Sequence, residues 1–220
     1  EIRQTGRFSG DIFAELRPFK GFVFKTSFAV DYANDNVRRY TPAYDYGTGF
    51  RNDTDYVSQS NSLRTSLSWE NTANYRFTMA ANHTFDILAG MQIRRAAGQS
   101  LSASKYNLIF DDLEHAWLTN ATETGANTIT VTGEPSNPDN LVSFFTRLSY
   151  DYKEKYMFSA TVRADGSSKF GPNNRYGVFP SVSAGWVISN EDFWSPIKST
   201  VNFLKFRASW GQNGNDRIRD

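Results

Sequence analysis

Alternation of side-chain type with a period of two constrains this chain more than any other feature. In FVFKTSFAVDY, residues 22–32, the even positions are aromatic or aliphatic apart from one threonine, whereas the odd positions include Lys25, Ser27 and Asp31. Because successive side chains of an extended strand point to opposite faces, this segment has one apolar and one polar face. The pattern predicts a strand that lies between an apolar environment and an aqueous one.

The same alternation recurs along the chain and predicts eight strands in all. In residues 63–77, every even position is polar. The remaining strands are a weaker one at 11–17 and clearer ones at 85–93, 142–152, 156–164, 182–188 and 204–210. Most of these runs reach the roughly 9–11 residues of a tilted membrane strand, rather than the roughly 5–6 of a soluble one. The sequence therefore predicts an all-β chain that forms an antiparallel transmembrane β-barrel.

The connections between these strands alternate in length. Residues 18–21 and 153–155 are tight turns and 78–84 is slightly longer, whereas 33–61 and 96–140 are long segments. Short turns at one end and long loops at the other are typical of membrane barrels. The last two connections, each of about a dozen residues, depart from this contrast.

Aromatic residues flank the three short connections, in the positions of a belt at the lipid headgroup level. They are Phe19, Phe22, Phe24, Tyr75, Phe77, Phe85, Tyr150, Tyr152, Tyr156 and Phe158. A large soluble β-sandwich could also hold such rings in an ordinary core. Connections of 29 and 45 residues would be unusual in a sandwich, however.

Composition excludes several classes of function. The 24 basic and 23 acidic residues nearly balance, so no nucleic-acid partner is indicated. The absence of cysteine excludes disulfides, thiol catalysis and cysteine metal sites. No apolar run approaches the roughly 20 residues of a membrane helix. Since the chain opens at Glu1 and closes on a polar segment, we expect an internal piece of a longer polypeptide.

The candidate catalytic and metal-binding motifs are each incomplete or wrongly placed for their chemistry. Gly166 and Gly171 have the spacing of a phosphate loop, but Pro172 follows where that motif requires lysine. His83 is expected in a turn, at a different depth from any strand serine that it could activate. The acidic loop residues around His115 lack the spacing of known metal motifs and are expected to be solvated. No enzyme activity, metal or cofactor is predicted.

Two motifs carry a family resemblance. Residues 165–194, DGSSKFGPNNRYGVFPSVSAGWVISNEDFW, are followed by LKFRASWGQNGN at 204–215, and SWENTANYRF at 68–77 is a softer match. In this order and spacing they closely resemble the SusC/RagA family of TonB-dependent outer-membrane transporters. The resemblance implies a barrel of about 22 strands, of which residues 1–220 would supply about eight. The plug domain that fills such a barrel, and the TonB box, would lie outside this chain.

The resemblance also implies a function. Family members import glycan fragments or peptides across the bacterial outer membrane, with a SusD-like surface lipoprotein on the outside and TonB acting from the periplasm. Two alternatives remain open at this stage. One is a complete small outer-membrane barrel that serves as an anchor or adhesin, and the other is a soluble carbohydrate-binding sandwich.

Ligand contacts are expected in the outside loops, because loops on a rigid scaffold often carry binding. The candidates are Tyr44, Tyr46, Phe50, Tyr56, Trp117, Lys169 and Arg175. Residues 164–179 are expected to form an outside connection, with Pro180 at the start of the next strand. Six charged residues are expected to face the lumen and to pair with the plug, namely Arg64, Glu70, Arg76, Arg94, Arg147 and Arg163.

Overall fold

The computed structural model describes residues 1–122 and 129–215. Eight strands form one antiparallel sheet in which neighbours in space are neighbours along the chain. They are β1 (Ile2–Leu16), β2 (Phe22–Thr41), β5 (Tyr56–Met79), β6 (His83–Tyr106), β7 (Thr130–Tyr152), β8 (Tyr156–Ser167), β9 (Tyr176–Val187) and β10 (Lys205–Gly211). A small separate hairpin pairs β3 (Tyr44–Asp45) with β4 (Arg51–Asn52). Short 3-10 helices span Leu118–Asn120, Ile188–Asn190 and Asp192–Ile197.

Very few side chains are buried. Among the described residues, the buried hydrophobic ones are Val57, Ala116, Ala121 and Val187. Large apolar side chains are instead exposed, including Phe28 at 44%, Leu67 at 39% and Trp69 at 44%. A sandwich would bury such residues between its two sheets. The soluble sandwich alternative is therefore wrong.

Contacts divide the chain into two compact units. The first comprises Glu1–Gly10, Val30–Leu67 and Ala96–Pro138, and it holds a small cluster of Val57, Ala116 and Ala121. The second comprises Asp11–Ala29, Ser68–Arg95 and Asp139–Asp220, of which residues up to 215 are described.

The pairing of β7 to β10, in the second unit, separates two faces. Tyr150 pairs with Phe158, Phe158 with Ala184, and Ala184 with Ala208. The same face carries the apolar residues Phe144, Leu148, Val162, Ala160, Val178, Val182, Trp186, Phe206 and Trp210. The opposite face carries Arg147, Ser149, Ser159, Thr161, Arg163, Asp165, Ser181, Ser183 and Arg207. The predicted division into an apolar and a polar face is confirmed for these strands.

The predicted strands are nevertheless too short. Strand β1 begins at Ile2 rather than near Asp11, and strands reach far into the predicted long segments 33–61 and 96–140. Beyond Tyr32 both faces of β2 carry polar residues, such as Asn34 and Asp35, so the alternation that marks a strand disappears there. Side-chain amides link the strands instead, since Asn61 Nδ2 donates to Asn34 at 2.8 Å and to Asn36 at 2.5 Å.

The prediction for the glycine-rich connection is also corrected. Only residues 168–175 connect β8 to β9, and Pro180 lies inside β9 rather than at its start. The Pro180 carbonyl accepts from the Gln212 N–H at 3.0 Å, just beyond the last β9–β10 pair, Gly211 with Ser181. The N–H and C=O of a strand residue point towards the same neighbouring strand, which for residue 180 is β10. The N–H that Pro180 lacks would therefore lie at the end of the β9–β10 ladder, where its loss costs least.

His83 does not lie in a turn. The β5–β6 turn is residues 80–82, where Ala80 and Ala81 have positive φ angles of 47° and 63°. His83 is the first residue of β6, with its Nδ1 2.8 Å from the Tyr150 hydroxyl and its ring 4.7 Å from that of Tyr152. The histidine is thus part of a row of aromatic rings. The final connection, between β9 and β10, covers residues 188–204 and contains two of the 3-10 helices.

Candidate functional site

A row of rings crosses the strands of the second unit next to the tight turns. Consecutive ring centroids lie between 4.7 and 6.5 Å apart. The row, which we call the aromatic belt, comprises Phe19, Phe22, Tyr75, Phe77, Phe85, His83, Tyr150, Tyr152, Tyr156, Trp186 and Phe193. The sequence predicts aromatic groups at three separate turns, and the structure joins them into one row that continues to Phe193. Rings with an apolar body and a polar edge are suited to a boundary between lipid and water.

The carboxylate of Glu191 organises the far end of the aromatic belt. It accepts from Lys155 Nζ at 3.0 Å and from Trp186 Nε1 at 3.1 Å. Hydrogen bonds from Tyr156, Lys155 and Trp186 together lower the pKa of Glu191 from 4.5 to about 2. Since Glu191 lies between two 3-10 helices, these contacts join the 188–204 connection to the turn at 153–155.

We expect Glu191 to make this connection sensitive to acid. A carboxyl whose pKa is lowered on folding stabilises the fold above its unfolded value, here about 4.5, and this contribution is lost as pH falls towards about 2. Protection factors of the 188–204 amides, which correct the exchange rate for its intrinsic pH dependence, should therefore fall across that window in the wild-type protein. In Glu191→Gln the amides should exchange faster at neutral pH and lack this acid step. Asp192→Asn is the matched control, because the Asp192 side chain is fully exposed and lies 3.9 Å from Lys155; an equal effect of both variants would contradict the assignment.

The polar face carries an arginine stacked on an aromatic ring. The Arg163 guanidinium lies 5.2 Å from the centroid of the Phe145 ring. It is held by Asp165 at 2.7 Å and by Gln92 at 3.2 Å. The Phe145 ring occupies the space beside Gly90, where a Cβ atom would collide with it. A bulky ring is thus accommodated on the polar face without displacing the charged groups.

Three of the six predicted lumen charges find partners on the same face. Arg163 pairs with Asp165, Arg147 lies 3.8 Å from Asp86, and Arg94 lies 3.4 Å from Asp139. Asp139 is shared, since Lys169 Nζ also lies 3.4 Å from it. These three arginines thus have acidic partners within the chain, and their pairing with the plug stays a prediction. For Arg64, Glu70 and Arg76, no ion pair with another described residue is present.

Five of the predicted ligand contacts lie in the first unit. Tyr44 and Tyr46 stack with centroids 5.2 Å apart on the small β3–β4 hairpin, and Phe50 is exposed in its turn. Tyr56, the first residue of β5, packs on the ring of Tyr106 at 5.5 Å. The hairpin rings are available to a ligand, whereas Tyr56 already has an aromatic partner.

Trp117, the fifth of these residues, is covered by a cation. The Arg38 guanidinium lies 3.9 Å from its ring centroid, and the indole N–H donates to the Glu114 carbonyl at 3.1 Å. Arg38 also donates to the carbonyls of Glu114 and Ala116. These contacts hold the loop segment against β2, while Trp117 remains 45% exposed and its contact with a ligand stays a prediction.

The two basic candidates lie in the second unit. Lys169 is paired with Asp139, and the Arg175 carbonyl accepts from the Ser167 N–H at 3.0 Å, which closes the 168–175 connection. The pairing of Lys169 was not visible in the sequence, because Asp139 lies 30 residues earlier, on β7.

The acidic loop around His115 forms a local turn. Asp112 accepts from the His115 backbone N–H at 2.8 Å and lies 2.9 Å from its Nδ1. These two contacts lower the pKa of the Asp112 carboxyl. Within residues 1–122 and 129–215, no three acidic or histidine side chains are grouped to hold a metal ion. In the same residues, no helix is long and apolar enough to cross a membrane.

Comparison with known proteins places this sheet in a class. The TonB-dependent receptor P39 of Formosa agariphila is 33% identical over the whole chain, and TonB-dependent receptor SusC of Bacteroides thetaiotaomicron is 34% identical over 56% of it. Two solved structures match the fold. The structure of the RagAB peptide transporter matches 98% of the chain with a TM-score of 0.72 and 26% sequence identity. The structure of the RagAB peptide importer in the open-open state matches 99% of the chain with a TM-score of 0.73 and 25% sequence identity. No protein-family profile matches.

The chain is thus similar, in sequence and in fold, to a segment of TonB-dependent receptors. The chain spans about a fifth of the length of the Formosa relative and about a quarter of the chains in the RagAB structures. Over that span it has the strand pattern of the SusC/RagA family, and the resemblance seen in its sequence motifs is confirmed.

Proposed function

We propose that this chain forms part of the wall of a TonB-dependent importer in the bacterial outer membrane, one that takes up glycan fragments or peptides. The observation that carries the proposal is the division of the sheet into two faces. On β7 to β10 the apolar face is exposed, the polar face carries paired charges, and the aromatic belt borders the apolar face. A membrane barrel requires this combination, because one face meets lipid and the other meets water.

The role proposed for the chain is containment and recognition rather than catalysis. The apolar face meets lipid, and the polar face lines the lumen, where Arg163, Asp165 and Gln92 form a hydrogen-bonded group. The plug domain of the same polypeptide would occupy that lumen. A SusD-like surface lipoprotein would bind the loop side, and TonB would act through a region outside residues 1–220.

Gene deletion in the source bacterium tests the importer function. Uptake of fluorescent peptides and of fluorescent oligosaccharides should be measured in the wild type, the deletion strain and the complemented strain. We expect uptake of one ligand class to be lost on deletion, restored by complementation and abolished by a protonophore, because TonB-driven import needs an energised inner membrane. Unchanged uptake of both classes in the deletion strain would contradict an importer.

The stacked pair on the β3–β4 hairpin should contribute to ligand binding. Replacing both Tyr44 and Tyr46 by alanine removes two exposed rings that can stack on a sugar or on a peptide side chain. We expect the affinity of the intact receptor for its ligand to fall about tenfold, the loss typical of aromatic contact residues. Phe110→Ala is the matched control, since Phe110 is an exposed ring of the same unit that packs on His115. Equal losses for the hairpin and the control variants would show that the hairpin has no specific role.

A further inference from the structure

The 188–204 connection between β9 and β10 is a folded element. Its second 3-10 helix, Asp192–Ile197, is followed by a turn in which the Val201 N–H donates to the Ile197 carbonyl at 2.9 Å. The indole of Trp194 donates to the Val201 carbonyl at 2.9 Å and closes the element on itself. A connection with this many internal hydrogen bonds presents its remaining side chains in fixed positions.

Further contacts fix the element at the tight-turn end of β8 and β9. The Val187 N–H donates to the Lys155 carbonyl at 2.7 Å, and Asn190 Nδ2 donates to the Glu154 carbonyl at 3.1 Å. The Glu191 carboxylate, bound to Lys155 and to Trp186, completes the attachment. The 3-10 helix therefore has a defined position next to the aromatic belt.

The helix exposes apolar side chains that nothing in the described structure covers. Phe193 is 62% exposed, and Ile197 at the end of the same helix is 47% exposed. The Phe193 ring packs edge-on against Trp186 at 6.5 Å, and Trp186 stacks in turn on Tyr156 at 6.4 Å. Phe193 thus extends the aromatic belt from the strands into the 188–204 connection.

We propose that Asp192–Ile197 is an interfacial lipid anchor, in which Phe193 and Ile197 enter the headgroup region of the bilayer that surrounds the wall. The inference rests on the proposed function, since it requires the apolar face to meet lipid. Continuity with the aromatic belt indicates that lipid is what these side chains contact. Phe193 lies against Trp186, which is on the face that β7 to β10 would present to lipid. The neighbouring Asp192 and Lys198 supply charges suited to the aqueous side of such a boundary.

The absence of cysteine from these residues allows a direct test. Single cysteines should be introduced into a cysteine-free form of the complete natural polypeptide, to which residues 1–220 contribute no cysteine. Each cysteine is then labelled with an environment-sensitive fluorophore, and the protein is reconstituted in phosphatidylethanolamine–phosphatidylglycerol vesicles. The reporter is Phe193→Cys, and Asp192→Cys is the matched control on the next residue, whose side chain is fully exposed. We expect phospholipids spin-labelled near the headgroup to quench the fluorophore at 193 about threefold more than at 192, as for a side chain at the headgroup boundary.

Two further positions separate failure of the anchor from failure of the proposed function. Phe206 lies on the apolar face of β10 and Ser209 on its polar face, so Phe206→Cys should be quenched by lipid and Ser209→Cys should not. If position 206 is quenched by lipid but 193 behaves like 192 and is quenched by aqueous iodide, the anchor is wrong and the membrane wall stands. If position 206 is also quenched only by iodide, the proposed function itself is overturned.

Discussion

Replacing Val182 by arginine should cost about 2–4 kcal/mol of stability in a bilayer, the usual penalty for a cation facing lipid near the midplane. Val182 lies in the middle of the apolar row of β9 that runs from Tyr176 to Trp186. It pairs with Ala160 on one side and Trp210 on the other, so no carboxylate on this face is adjacent to it. An arginine introduced there has only lipid and apolar side chains around it.

Ser181→Arg provides the matched control for this prediction. Ser181 is the preceding residue of the same strand and faces the polar side, between Thr161 and Gly211. Denaturant unfolding of the complete polypeptide in vesicles, followed by heat-dependent migration in gels, would compare the two. We expect the Val182 variant to unfold at a clearly lower denaturant concentration than wild type, with the Ser181 variant close to wild type. Equal stability of the two variants would show that β9 does not meet lipid on its apolar face.

Gly21→Ala should destabilise the first tight turn by about 2–5 kcal/mol. Two effects add: Gly21 has a φ of +86°, which costs another residue about 1–2 kcal/mol, and a Cβ atom there would collide with the Arg76 carbonyl. Relief of such overpacking requires backbone shifts that cost about 1–3 kcal/mol. The Gly21 carbonyl also accepts from the Arg76 N–H at 2.8 Å, so the turn cannot move away without losing this bond.

Gly47→Ala separates the two effects. Gly47 has a φ of +106°, but no atom lies within 4 Å of the position that its Cβ would occupy. Its variant should therefore show only the smaller backbone cost. Unfolding free energies of both variants, measured in the complete polypeptide, should differ by the cost of the close approach. If Gly21→Ala is no more destabilising than Gly47→Ala, the turn is not packed against β5 as the structure has it.

The parts of the fold that sequence predicted are those where one face is apolar and the other polar. Residues 156–164 and 204–210 alternate clearly; the first run lies in β8 and the second, from Lys205 onwards, in β10, and both strands pair in the expected orientation. Prediction was less successful where both faces are polar. Beyond Tyr32, strand β2 is sustained by backbone pairing and by amides such as that of Asn61, neither of which produces a hydrophobic period.

The candidate site was predictable only in part. Exposed loop aromatics such as Tyr46 follow from composition and position, and the structure leaves that ring exposed. The partners of Lys169 and Trp117 did not follow, because Asp139 and Arg38 are distant in sequence and meet them only after the strands pair. The place of His83 in the aromatic belt was missed for a similar reason: its neighbour Tyr150 lies on the next strand.

The order of strands in the sheet has a consequence for how the wall is made. Strands that are adjacent in the sheet follow one another along the chain, with only the separate β3–β4 hairpin between β2 and β5. Chains built from such local pairings close only short loops at each step, which favours rapid formation. The sheet can therefore grow one hairpin at a time, with each completed hairpin offering its free edge to the next strand.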